Sequence, residues 1–348
     1  MTTKSNPGNF FEDFRVGQRI NHATPRTVTA ADAALNIALT GSRHALFSAD
    51  SFAENCGLKR SPIDPLLVFH VVFGKTVPDI SLNAVANLGY AEGLFLAQVY
   101  PGDTLSAFSE VIGLKPNSSG KTGVVYLRTV GMNQRGEPVL SYVRWVMVNK
   151  RDAEAPAPDA KTPELAAAVV PRDLLLPPAL DFSSYNYTLA GAPHAYEDYA
   201  IGEKIDHVDG MTVEEAEHQL ATRLYQNTAK VHFDALAQRN SRFGKRLIYG
   251  GVAISLARAI AFNGLANAQL MLAINAGRHV NPLFAGDTLY AWSEVLDKAD
   301  LGGAGALRLR LVGVKNKPAA DFPLKLETGE DDPYVVLDFD YWAAIPKR

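Results

Sequence analysis

The chain has a single cysteine, Cys56, in 348 residues. That excludes a disulfide framework and any Cys-x-x-Cys metal site, and it fits a reducing compartment. An excess of one charge is also missing: 34 Lys+Arg stand against 37 Asp+Glu, a formal net charge of −3. A nucleic-acid binder would show a basic stripe, and none is present. No uninterrupted apolar run reaches membrane-spanning length, and the N-terminal MTTKSNPGNFFEDF lacks the apolar core of a secretory leader. These absences lead to the expectation of a cytoplasmic protein with neither a membrane nor a nucleic-acid partner. What remains is 47% hydrophobic and 20% charged, an ordinary globular balance, and long enough for two domains.

Several catalytic and binding motifs are missing as well. Gly120-Lys121-Thr122 resembles the tail of a phosphate-binding loop, but the position of that motif's first glycine holds Lys115. With Pro116-Asn-Ser-Ser before it, this segment reads as a hairpin loop. There is no Gly-x-Ser-x-Gly elbow and no His-Glu-x-x-His. The eight histidines include no pair at helical ligand spacing, so no metal site is expected.

What the chain does contain is a copy of itself. Phe11-Glu-Asp-Phe-Arg-Val-Gly17-Gln-Arg-Ile20 matches Tyr196-Glu-Asp-Tyr-Ala-Ile-Gly202-Glu-Lys-Ile205, at an offset of 196 − 11 = 185. Gly102-Asp-Thr-Leu matches Gly286-Asp-Thr-Leu at an offset of 286 − 102 = 184, and Val139-Leu-Ser-Tyr-Val-Arg-Trp145 matches Val336-Leu-Asp-Phe-Asp-Tyr-Trp342. Three blocks in near-constant register predict two copies of one domain of roughly 150 residues. The expected division is residues 1–150, an Ala/Pro-rich connector over 151–190, and residues 191–348.

Each copy gives the same order of signals. A helical patch (29–40; 212–225) precedes a loop and then a strongly apolar helix (Leu66–Phe73; Gly251–Phe262). Alternating segments follow, such as 104–112 and 307–312, separated by turn residues, and these read as an antiparallel meander. A long central helix wrapped by an antiparallel sheet is the hotdog plan. The expected class is therefore α+β, as a double hotdog.

One segment carries candidate chemistry. Tyr225-Gln-Asn-Thr-Ala-Lys-Val-His-Phe-Asp234 places an amide, Asn227, and an imidazole, His232, just after the first helix of the second copy. Downstream, Gly250-Gly251 opens the apolar helix, where free N–H groups and the positive end of the helix dipole suit a negative oxygen. An acid/base, a polar positioning group and an oxyanion donor are thus within reach of one another. The first copy places Ser42 and Phe47 at the positions of Asn227 and His232 and so lacks this chemistry. A lone loop histidine and a Gly-Gly turn also have ordinary structural uses; the difference between the copies favours a site in the second.

These residues resemble the MaoC-like (R)-specific enoyl-CoA hydratase family, whose loop reads Gly-Asp-x-Asn-Pro-(Leu/Ile/Val)-His and is followed by a His-Gly-Met-Leu-like helix start. Here the motif becomes Gln226-Asn227-Thr-Ala-Lys-Val231-His232, and the helix start Gly250-Gly251-Val-Ala. Leu67-Val-Phe-His-Val-Val-Phe-Gly-Lys-Thr-Val-Pro-Asp79 and Asn87-Leu-Gly-Tyr-Ala-Glu-Gly93, together with the loop, resemble the mesaconyl-CoA hydratase (β-methylmalyl-CoA dehydratase) group in particular. The resemblance implies a lyase that reversibly hydrates mesaconyl-CoA to β-methylmalyl-CoA, as in the ethylmalonyl-CoA pathway. It implies an acyl-CoA thioester as partner, no cofactor beyond the CoA of the substrate, and further pairing into a homo-oligomer, a dimer first.

By the same resemblance His232 is the acid/base, Gly251 the oxyanion donor, Gly250 part of the substrate-binding turn, and Asn227 the replacement for an aspartate. The implied substrate has a free carboxylate beside that position. Two like charges ~4 Å apart repel by ~4 kcal/mol at an effective dielectric near 20, which gives an amide a physical reason to be there. Lys230, Arg223 and Arg278 are the candidate cations for the carboxylate. A hotdog thioesterase and a non-catalytic acyl-CoA-binding protein are the competing readings. Gly251 to Phe262 has no acid of the kind a thioesterase places on its central helix.

Overall fold

The computed structural model describes residues 4–348; residues 1–3, the start of the N-terminal stretch read above for a leader, lie outside it. The first copy contains strands β1 (Arg19–Asn21), β2 (Arg26–Thr27), β3 (Ala84–Phe95), β4 (Thr104–Pro116), β5 (Thr122–Met132) and β6 (Pro138–Asn149). Its helices are α1 (Ala30–Thr40), α2 (Ala45–Ser48), α3 (Asp50–Asn55) and α4 (Pro65–Ile80). After the short α5 (Tyr187–Ala190), the second copy contains β7 (Lys204–Thr212), β8 (Leu270–His279), β9 (Thr288–Asp300), β10 (Gly305–Lys315) and β11 (Val335–Ile345). Its helices are α6 (Glu215–Leu224), α7 (Lys230–Phe233), α8 (Ala235–Gln238), α9 (Gly250–Ile260) and α10 (Phe262–Leu265).

The strands form one antiparallel sheet in the order β1-β4-β5-β6-β3-β8-β11-β10-β9-β7, with β2 also on β4. Read from the centre outward, the two halves run in the same order. The halves join where β3 pairs with β8, Tyr90 opposite Gly277 and Leu94 opposite Ala273. This is the expected double hotdog of the α+β class.

The central helices follow from composition and capping. Pro65 occupies the first turn of α4, where its missing N–H costs nothing, and the Asp64 side chain accepts from Leu66 N–H at 2.8 Å. Most of α4 and nearly all of α9 are buried, and both belong to one hydrophobic cluster. They meet at equivalent points: His70 Nε2 and Ser255 Oγ, separated by the repeat offset of 185, are 2.8 Å apart. In a two-fold arrangement, contact between repeat mates marks the axis.

Repeated residues make repeated contacts. His22 Nε2 pairs with Ser109 Oγ at 2.8 Å, and His207 Nε2 pairs with Ser293 Oγ at 2.8 Å. Residues 151–190 have only short helical turns, and they lie across both halves of the sheet. Lys161 bridges to Leu114, Val169 N–H donates to Asn275 Oδ1 at 2.9 Å, and Trp342 Nε1–H donates to Val169 O at 3.0 Å. No helix is long and apolar enough to cross a membrane among the described residues.

Candidate active site

Helix α6 buries His218, Ala221, Thr222 and Leu224, a three-to-four spacing that gives one inward face. Past its end Gln226 adopts a left-handed φ of 54°, as Gly41 does at 69° after α1. The turn has kept its shape while losing its glycine, and the Gln226 side chain is held by the Lys75 ammonium of α4. Asn227, buried, accepts from Ala229 N–H through Oδ1 at 3.0 Å, and Ala229 O in turn accepts from His232 N–H at 3.0 Å. Asn227 thus organises the turn that carries His232, which lies in α7.

The imidazole of His232 has a defined tautomer. Its Nδ1–H donates to Leu247 O at 3.0 Å, so Nε2 keeps its lone pair and has no hydrogen-bond partner among the described residues. Burial pushes its pKa down to about 4, although the Leu247 carbonyl works against this, and the ring is neutral near pH 7. The ring stands edge-on to Tyr249, with centroids 5.4 Å apart, directly before α9.

That helix start is open. Tyr249 provides no side-chain cap; its own N–H donates to His218 Nε2 at 2.9 Å. The N–H groups of Gly250 and Gly251 have no hydrogen-bond partner among the described residues. Both glycines are required by crowding. A Cβ on Gly250 would stand 2.3 Å from the His279 ring, and one on Gly251 would stand 2.4 Å from Tyr249 and 2.6 Å from His70. Rings press against the helix start from several sides, and Gly251 is buried.

His279 and His218 are site neighbours that sequence reasoning missed. Burial first, and then the nearby His232, lowers the pKa of His279 to about 4 and that of His218 to about 3. The only available signal was their place on elements flanking the glycine turn, which spacing alone does not reveal.

The structure brings Asn227, His232, Gly250 and Gly251 together and places the three expected cations at the surface. Arg223 and Lys230 are exposed. Arg278 forms two 2.9 Å hydrogen bonds with Asp331. The reason is strand alternation: Gly277 and His279 face the helices, so Arg278 between them faces out. Among the described residues, no group of three or more His, Cys, Asp or Glu side chains is placed to hold a metal ion.

A family model described as mesaconyl-CoA hydratase matches residues 1–318. The chain belongs to the mesaconyl-CoA hydratase family. A protein of Chloroflexus aurantiacus named beta-methylmalyl-CoA dehydratase is 60% identical over 351 aligned residues, covering 100% of both chains. Another, named mesaconyl-CoA hydratase, from Cereibacter sphaeroides, is 62% identical over 346 residues, covering 99% of this chain and 100% of its own. Among solved structures, a MaoC domain protein dehydratase from Chloroflexus aurantiacus J-10-fl aligns with a TM-score of 0.98 at 60% identity, covering 100% of both chains. A Mycobacterium tuberculosis protein described as having a double hotdog fold aligns with a TM-score of 0.76 at 26% identity, covering 97% of this chain and 98% of its own.

Proposed function

We propose that this family member catalyses the reversible addition of water to mesaconyl-CoA, giving β-methylmalyl-CoA, with His232 as the acid/base. The observation that carries the reading is the pairing, in the second copy only, of a neutral imidazole of fixed tautomer with an uncapped helix start. The thioester oxygen takes the Gly251 N–H, so the negative charge that develops on it meets the positive end of α9. Water is held on the free Nε2 of His232 and attacks C3 as the ring takes its proton; the same ring returns that proton to C2. Asn227 positions the loop through Oδ1, and its Nδ2, without a hydrogen-bond partner among the described residues, can be offered to the water or the substrate.

A low His232 pKa makes the imidazolium costly when the site is empty. The enolate formed in the same step supplies the opposite charge, which favours the protonated ring when it is needed. The test is to incubate purified protein with mesaconyl-CoA, following enoyl absorbance and free thiol together. Absorbance should fall without thiol release. Thiol release would identify a thioesterase instead, and tight binding with neither signal would identify a binding protein.

A further inference from the structure

Strand β6 carries a guanidinium in the middle of the core. Arg144 is 0% exposed, and among the described residues it forms no ion pair with any carboxylate. Its Nη2 donates to Thr76 Oγ1 at 2.8 Å and to Ser81 Oγ at 3.1 Å, its Nη1 reaches Asn87 Oδ1 at 3.5 Å, and its Cζ lies 4.3 Å over the Phe73 ring. All of these partners are neutral. Its Nε–H is buried with no partner among the described residues.

Two further buried donors are nearby. Among the described residues the Tyr249 hydroxyl has no hydrogen-bond partner, and the Tyr142 hydroxyl stands by Thr76 and Thr129 without meeting either in hydrogen-bond geometry. The groups that act electrostatically on Arg144 are Tyr142, Tyr90 and Tyr249, all uncharged near pH 7. An uncompensated buried cation and unmade donors are each costly, and native proteins seldom keep such groups together without use.

Register places the cluster beside the proposed reaction centre. Tyr90 is opposite Arg144 across β3 and β6, and opposite Gly277 across β3 and β8. Tyr142, Arg144, Tyr90 and His279 therefore share the helix-facing side of the seam between the copies. Tyr90 OH is 3.4 Å from His279 Nε2, and the Tyr249 ring lies 5.6 Å from that of Phe73 and 5.4 Å from that of His232. One tyrosine thus touches both the proposed base and the ring on which Arg144 rests.

We propose that Arg144, with the Tyr142 and Tyr249 hydroxyls, is the seat for the free carboxylate of the acyl group. The inference rests on the hydration reading, in which that carboxylate is bonded to the carbon that receives water. The anion completes the open valences of Nε and the two hydroxyls and gives the guanidinium its counter-charge. It enters between the copies, so the first copy supplies the guanidinium and the Tyr142 hydroxyl, and the second supplies the Tyr249 hydroxyl and the proton chemistry.

The test compares binding of succinyl-CoA and butyryl-CoA to the full chain by calorimetry. Both are saturated and cannot be hydrated, and they differ by a terminal carboxylate in place of a methyl. The native protein should prefer succinyl-CoA by about tenfold or more. Arg144→Gln should remove most of that preference, and Arg144→Lys should retain part of it. Tyr142→Phe and Tyr249→Phe delete hydroxyls with no partner in hydrogen-bond geometry among the described residues; each should reduce the preference severalfold at an unchanged melting temperature.

Equal affinity of the native protein for both ligands, or an unchanged ratio in Arg144→Gln, would overturn the proposal. If Arg144→Gln does not fold, Tyr142→Phe decides, and an unchanged ratio there counts against the seat. The hydration reading fails separately. Selective binding with no consumption of mesaconyl-CoA would sink the reaction and leave the seat standing, while full turnover with no binding selectivity would do the reverse.

Discussion

At the start of α4 the Asp64 carboxylate accepts from Leu66 N–H at 2.8 Å, whereas at the start of α9 its repeat mate Tyr249 offers no cap. Leu66 and Gly251 are mates at the 185 offset, so the same amide is occupied in one copy and free in the other. The neighbouring loop differs to match. Phe47, at the position of His232, is buried in a hydrophobic cluster. His44 Nε2 accepts from the Arg258 guanidinium at 2.9 Å, and Ser42 Oγ lies 3.2 Å from His44 Nδ1. In the first copy the position matching the proposed oxyanion amide is thus filled by a carboxylate, and the loop matching the proposed catalytic loop is filled by packing. A hotdog keeps its fold through either choice, because the fold depends on the sheet and the central helix and not on the mouth of the helix.

The largest effect should come from making the second loop like the first. His232→Ala removes the only acid/base in the scheme and should reduce mesaconyl-CoA turnover by ~10²–10⁴-fold with the circular dichroism spectrum unchanged. Retained activity would mean that the two loops do not differ in the way argued. Next, Tyr249→Asp transplants the Asp64 cap onto α9. Its carboxylate should occupy the Gly251 amide and cost ~10²–10³-fold in kcat, the usual consequence of losing one oxyanion donor. Normal kinetics in this variant would show that the open helix start is not used.

Smaller effects follow from pH. His232 and His279, each held down to about 4 by burial, are kept neutral by the fold, below the ordinary histidine value near 6.5. The stability tied to their neutral form is complete above pH 6.5 and is lost as the pH falls through 4. Melting temperature measured between pH 7 and pH 4 should fall steadily across that window. The acid limb of kcat/KM should have its midpoint well below 6.5; a midpoint at the ordinary value would place the base in solvent. The smallest effect is expected from Asp64→Ala. It uncaps α4 while leaving the His232 loop and the start of α9 intact, and should lower stability by about 1 kcal/mol in urea titration with turnover unchanged.

Much of this was legible from local signals. The repeat, the order of elements within it, and the loop and glycine turn of the second copy all depend on residues near one another in the chain. The site's other walls were not legible. His279 comes from β8 and Tyr90 from β3, 189 residues apart, and they meet only because those strands pair across the seam. The charge of Arg278 is visible in the sequence, but its face of the strand and its pairing with Asp331 are not. In the sequence Arg144 is only one residue of a repeated strand, since nothing local distinguishes a buried arginine from an outward one.

The sequence by itself determined that this chain is two hotdogs, which copy has a histidine rather than Phe47 at the matching loop position, and which helix opens on glycines. Hydrophobic period, turn chemistry and the repeat offset are all local quantities. The tertiary structure alone decided which amide is left uncapped beside an imidazole and which cation is left without a counter-charge. Both depend on how side chains from strands and helices distant in the chain fill one shared interior, where burial makes an unpaired group costly enough to matter.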